Sequence, residues 1–209
     1  MNRRAMKKPL SFVLFAAPAL FLGALSACQQ AAAPPAELIG TDIKGAPFGG
    51  PFSLTGEDGK RYTWDDFKGK YRMVYFGYAF CPDACPTDVA VMMRGFQKLE
   101  KEHPDQAAKV QPLFVTIDPA RDTVKVVKEF TDSFHPKLLG LTGSQAEIDT
   151  ATKAFRVYAA RGTDLGQGNY LMDHSRFAYL MDPDGKPIVI LPVDKGPDAV
   201  ASDLAAAVR

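Results

Sequence analysis

The chain has 209 residues, of which 46% are apolar, 23% charged and 11% aromatic, a balance that excludes a disordered, collagen-like or multi-pass membrane protein. With 25 basic and 24 acidic side chains the net charge is +1, too even for a protein that neutralises nucleic-acid phosphates. Three cysteines are too few to staple a miniprotein and odd in number, so at least one lacks an intramolecular sulfur partner.

Residues 1–27 read as a signal peptide: Arg3, Arg4, Lys7 and Lys8 precede the apolar run from Leu10 to Leu22. Leu25-Ser26-Ala27-Cys28 then resembles the bacterial lipobox, which predicts lipidation of Cys28. The competing reading is an uncleaved anchor, because the apolar stretch is near the lower limit for spanning a bilayer. Both readings put the rest of the chain outside the cytoplasm and tethered to a membrane. No acid occurs before Glu37, so that remainder is mildly acidic. Residues 28–50, rich in Ala, Pro and Gly, read as a flexible tether, and a single domain is expected over 51–209.

Phe52–Thr55 and Arg61–Trp64 flank a Gly-containing turn and predict an N-terminal β-hairpin. Arg72–Tyr78 is apolar on both faces, as a strand covered on both sides would be. Val89, Met92, Met93, Phe96 and Leu99 recur at helical spacing, so both methionines are assigned to the core, and Trp64 is read as core as well. Lys109–Ile117 predicts a strand, Thr123–Phe134 a helix and Leu138–Leu141 a short strand. Ser144 with Glu147 forms a capping box for a helix running to about Tyr158. Arg161–Met172, with three glycines and no period, reads as a long loop. Arg176–Met181 and Pro187–Leu191 flank a Pro- and Gly-containing turn, and Pro197–Val208 closes the chain as a helix. The order predicts an α/β three-layer sandwich of the thioredoxin-like kind.

Cys81-Pro82-Asp83-Ala84-Cys85 lies between the buried strand and the first helix, at the sheet end where α/β folds build sites. A helix N-terminus favours thiolates, so both sulfurs are expected to ionise readily. Thiolates bind soft metals or exchange disulfides. Thiol oxidoreductases of this fold use two intervening residues, whereas here there are three. Two thiolates with one imidazole suit copper, while zinc prefers four protein ligands or three with water. Of the three histidines, His103 and His135 each precede a proline at a predicted helix end. His174 precedes the strand at Arg176, a junction that faces the cysteine turn in a thioredoxin-like sheet, and is the candidate third ligand. Asp118, Arg121 and Asp122 read as an ion-pair cluster shaping a loop, Met172 as a candidate transient ligand and Asp173 as a group orienting His174.

Four ordered motifs, Tyr75–Pro86, Thr116–Thr123, Gly140–Gly143 and Asp173–Ser175 with Tyr179–Gly185, resemble the Sco/SenC family of copper-binding assembly factors for cytochrome c oxidase. The resemblance covers nearly the whole domain from Phe52. It implies a thioredoxin-like fold and one copper ion held by Cys81, Cys85 and His174, delivered to the binuclear copper site of oxidase subunit II. It also implies a periplasmic copper donor and a redox-active Cys81/Cys85 pair. A metallochaperone without turnover is therefore expected. The alternatives are a thiol-disulfide reductase that keeps the oxidase cysteines reduced and a sensor that signals through the 161–172 loop. Many relatives keep a transmembrane anchor, whereas this chain carries a lipobox-like sequence.

Overall fold

In the computed structural model, which describes residues 37–209, the chain forms in order β1 (Thr41–Asp42), β2 (Ser53–Gly56), β3 (Arg61–Thr63), β4 (Tyr71–Gly77), α1 (Ala84–Glu102), α2 (Pro104–Ala107) and β5 (Val110–Thr116). It continues through α3 (Val124–Asp132), β6 (Leu139–Thr142), α4 (Gln145–Ala154), β7 (Ala159–Gly166), β8 (Asn169–His174), β9 (Ala178–Met181), β10 (Pro187–Leu191) and α5 (Pro197–Ala207). Eight strands make one mixed sheet in the order β1-β10-β9-β4-β5-β6-β2-β3, parallel between β4, β5 and β6 and antiparallel elsewhere. β7 and β8 pair only with each other.

All seven residues of β4 are buried, so both faces of the central strand are covered, as its mostly apolar sequence requires. α1 contributes Val89, Met92, Met93, Phe96 and Leu99 from one face. Gly95 lets α1 approach α5 closely, since a Cβ there would meet the Val200 side chain at 2.5 Å. Trp64, as expected, is core: its ring packs edge-on to Phe52 and Phe155, 5.3 and 5.2 Å between centroids. No helix among the described residues is long and apolar enough to cross a membrane. The signal peptide and Cys28 lie outside the described residues.

Four expectations need correction. The tether assigned to 28–50 is not free over its last part: β1 pairs with the edge strand β10, and the buried Asp203 carboxylate accepts the Ile39 and Gly40 amides at 2.7 and 2.8 Å. Ordered chain therefore starts before residue 51, because backbone pairing needs no apolar pattern. α4 stops at Ala154, where Phe155 leaves the helix and Arg156 takes φ 53°. The first strand of the closing pair starts at Ala178, not Arg176. The segment 161–172 is a β-hairpin, with Ala159 opposite His174 and Arg161 opposite Met172. Its turn places Gly166, Gln167 and Gly168 at positive φ, which glycine tolerates best. Register shifts between Arg161 and Gly166 break the two-residue alternation that would have marked a strand.

Candidate metal centre

The parallel strand β4 ends at Gly77, and the chain turns through Tyr78–Asp83 before α1 begins at Ala84. Cys85 is thus the second residue of the helix and Cys81 sits in the turn that precedes it. Cys85 is fully buried, while Cys81 is partly exposed, and its sulfur accepts the Cys85 amide at 3.3 Å. Both thiols are free. The expectation that both ionise readily fails for Cys85. Burial pushes that thiol far up, and the neighbouring Cys81 adds to the shift. Burial also opposes ionisation of Cys81, but hydrogen bonds from the Cys85 and Asp83 amides, the Cys85 thiol and the Tyr78 hydroxyl outweigh it and leave Cys81 below the ordinary thiol value.

His174, the last residue of β8, reaches this helix start: its Nε2 is 3.2 Å from Cys85 Sγ. Burial holds its pKa below the ordinary imidazole value. That shift favours the neutral ring, and Nδ1 donates to the Ser175 carbonyl at 2.8 Å. That bond selects the tautomer whose Nε2 lone pair points at the cysteine. Asp173 does not orient the ring, contrary to expectation; it is exposed and its carboxylate lies against Gly162. Tyr75 and Tyr78 box the imidazole edge-on, 6.4 and 5.9 Å between centroids. Among the described residues no three or more His, Cys, Asp or Glu side chains are already converged as a metal cage. Cys85 links the three predicted donor residues: its Sγ faces His174 Nε2 and its amide meets the Cys81 sulfur.

Outside these donors lies an open cleft of about 420 Å³, lined among others by Cys81, Tyr158, Met172, His174 and Arg176. Met172 is therefore at the site, while Met92 and Met93 are core. His103 is exposed at the end of α1. His135, after α3, is buried against Phe96, with Nε2 2.9 Å from Glu100. Asp118 and Arg121 form the expected ion pair at 2.6 Å. Asp122 stays out of it, accepting the Thr116 hydroxyl at 2.6 Å and the Ala79 amide at 2.9 Å.

Sequence reasoning missed the clasp formed by Asp88 and Arg176. Asp88, one helical turn after Cys85, is 5% exposed and accepts the Tyr75 hydroxyl at 2.9 Å and two Arg176 nitrogens at 3.0 and 2.8 Å. Cys85 and Asp88 on α1 thus meet His174 and Arg176 on the strand side at two adjacent points. The signal was available: an acid at the third position after Cys85 falls on the apolar face of the helix, where a carboxylate needs a partner.

The SCO1/SenC family pattern matches residues 40–209. Protein SCO2, mitochondrial, of Saccharomyces cerevisiae is 42% identical over 140 residues, 66% of this chain and 45% of that protein, so the chain spans about half the length of that curated relative. The solved structure of ScoI from Bradyrhizobium japonicum with copper bound is 39% identical with a TM-score of 0.69, covering 76% of this chain and 98% of that one. A structure described as showing a disulfide switch in BsSco, a member of the Sco family of cytochrome c oxidase assembly proteins, is 26% identical with a TM-score of 0.58 and covers 82% of this chain and 95% of that one. With the thioredoxin-like sheet and its cysteine turn in the same chain as this match, the protein belongs to the SCO1/SenC family.

Proposed function

We propose that this protein is a membrane-tethered copper metallochaperone, without enzymatic turnover, whose domain begins after a lipid-modified Cys28. Cys81, Cys85 and His174 hold one copper ion, received from a donor in the periplasm and passed to the binuclear copper site of cytochrome c oxidase subunit II. The observation that carries this reading is the 3.2 Å approach of neutral His174 Nε2 to Cys85 Sγ beside the Cys81 sulfur. Two sulfurs and an imidazole suit a soft monovalent ion, and such a site needs no fourth protein ligand. Cu(I) taken up by the dithiol displaces two thiol protons, so loading releases protons and weakens as pH falls. Cys81 gives up its proton with little resistance, while Cys85 ionises only when the ion arrives to stabilise the thiolate. The ScoI relative solved with copper bound supports the choice of ion.

Copper stoichiometry and affinity of the full chain, with and without His174→Ala, test the reading. One ion per chain is expected, with an affinity loss of at least about tenfold in the variant, the lower end of what even an outer-shell partner contributes. An unchanged affinity would remove His174 from the site.

A second reading, thiol-disulfide reduction of the oxidase cysteines, is favoured by the inequality of the two thiols. Cys81 thiolate would attack a partner disulfide, forming a mixed disulfide and releasing one partner thiolate. Cys85 would then attack the Cys81 sulfur, releasing the second partner thiolate and leaving a Cys81–Cys85 disulfide, with two electrons moved to the partner. The BsSco neighbour with its disulfide switch supports a redox-active pair. A strain carrying Cys81→Ser with Cys85→Ser separates the readings: oxidase assembly rescued by added copper indicates delivery, and persistent failure indicates reduction.

A further inference from the structure

The β7–β8 hairpin carries His174 yet pairs with no strand of the main sheet. A lone two-stranded hairpin is marginal in water, so side chains must fix its position on the body. Tyr170 and His174 share one face of β8, since side chains alternate, and lie about 13 Å apart along the strand.

Tyr170 is the fastening point. Its hydroxyl donates to Asp118 Oδ1 at 2.8 Å, and its ring lies 3.6 Å from the Arg121 guanidinium carbon and 4.0 Å from that of Arg161. Arg121 Nη1 donates to the Tyr170 carbonyl at 2.8 Å, and Arg121 Nε donates to Asp118 Oδ2 at 2.6 Å. The same guanidinium carbon is 5.2 Å from the Phe80 ring and 5.7 Å from the Tyr78 ring, on the turn that leads into Cys81. Arg121 and Asp118 side chains are only 16% and 4% exposed, so water screens this pair weakly. One planar cation therefore touches both halves of the site, the turn with the sulfurs and the strand with the imidazole.

We propose that Arg121, braced by Asp118 and Tyr170, is a positioning residue that sets His174 against the cysteine pair. The consequence for copper rests on the metallochaperone reading; the clamp itself does not. Lysine cannot replace this fork, because a point charge cannot stack on Tyr170 while bonding its carbonyl and Asp118 together.

The test uses the full chain with Arg121→Lys, Tyr170→Leu and Tyr170→Phe. The metal-free reduced protein is treated with iodoacetamide and the alkylation rates of Cys85 and Cys81 are compared by mass spectrometry. Cu(I) affinity is measured by competition with a chromophoric chelator, and Tm is recorded for each variant. In Arg121→Lys and Tyr170→Leu the Cys85-to-Cys81 rate ratio should rise about tenfold and Cu(I) affinity should fall about tenfold. Tyr170→Phe, which keeps the stack, should stay within about threefold of wild type. Wild-type ratios in both disruptive variants would overturn the proposal, as would a rise in Cys85 reactivity that only tracks a lowered Tm. If the wild-type chain takes up no Cu(I), the copper reading fails, and the alkylation ratio still decides the role of Arg121.

Discussion

Replacing Asp88 by alanine should destabilise the domain through one stranded hydroxyl more than through a lost ion pair. The carboxylate is buried and serves the fully buried Tyr75 and the Arg176 side chain, which is 55% exposed. Arg176 can return to water, so its share is at most about 1 kcal/mol. The buried Tyr75 hydroxyl would lose the carboxylate that accepts its proton, at a cost of about 1–3 kcal/mol. The total of about 1–4 kcal/mol corresponds to a Tm lower by about 2–16 °C for a domain of this size. Thermal denaturation of Asp88→Ala, Asp88→Asn, Tyr75→Phe and the Tyr75→Phe/Asp88→Ala double variant checks it. Asparagine keeps an acceptor for Tyr75 and should lose about half as much. The double variant should be more stable than Asp88→Ala alone, because no hydroxyl is then stranded. An Asp88→Ala loss below about 1 kcal/mol, or simple additivity in the double variant, would refute the reasoning.

The two thiols should react in a fixed order. Iodoacetamide should label Cys81 first, with a half-maximal rate at a pH below the ordinary thiol value, while Cys85 reacts far more slowly across neutral pH; peptide mapping that finds Cys85 labelled first would contradict the burial argument. Burial also raises the Asp122 carboxyl to about 6. The folded state then holds a proton that the unfolded chain releases near pH 4, so stability falls as pH rises through about 4 to 6, by about 3 kcal/mol in all. Urea unfolding across that window should show this decline in the wild type minus Asp122→Asn difference, and a slope of the opposite sign would disprove it.

Much of the central sheet was legible because one residue type dominates each element. The buried run Tyr71–Gly77, the apolar stripe of α1 and the Ser144/Glu147 capping box all report a single local environment. The hairpin carrying His174 was not legible. Its glycines and polar residues serve a strand pair with one face in solvent, and its register shifts erase the alternation. The docked arm at Ile39–Asp42 was missed for a related reason, since its partners are backbone groups of β10 and the Asp203 carboxylate.

Sequence alone determined the family, the candidate donor types and their spacing across the cysteine turn, because residue chemistry and motif order survive without coordinates. Tertiary structure decided how the candidate donors differ. Cys81 and Cys85 read alike as helix-start cysteines, yet burial holds the second thiol well above the ordinary value, while amide, thiol and hydroxyl hydrogen bonds bring the first below it. The neutral, Nε2-facing state of His174 likewise comes from a carbonyl and from burial. Such differences arise from solvent exclusion and hydrogen-bond direction, which exist only once distant segments have packed together.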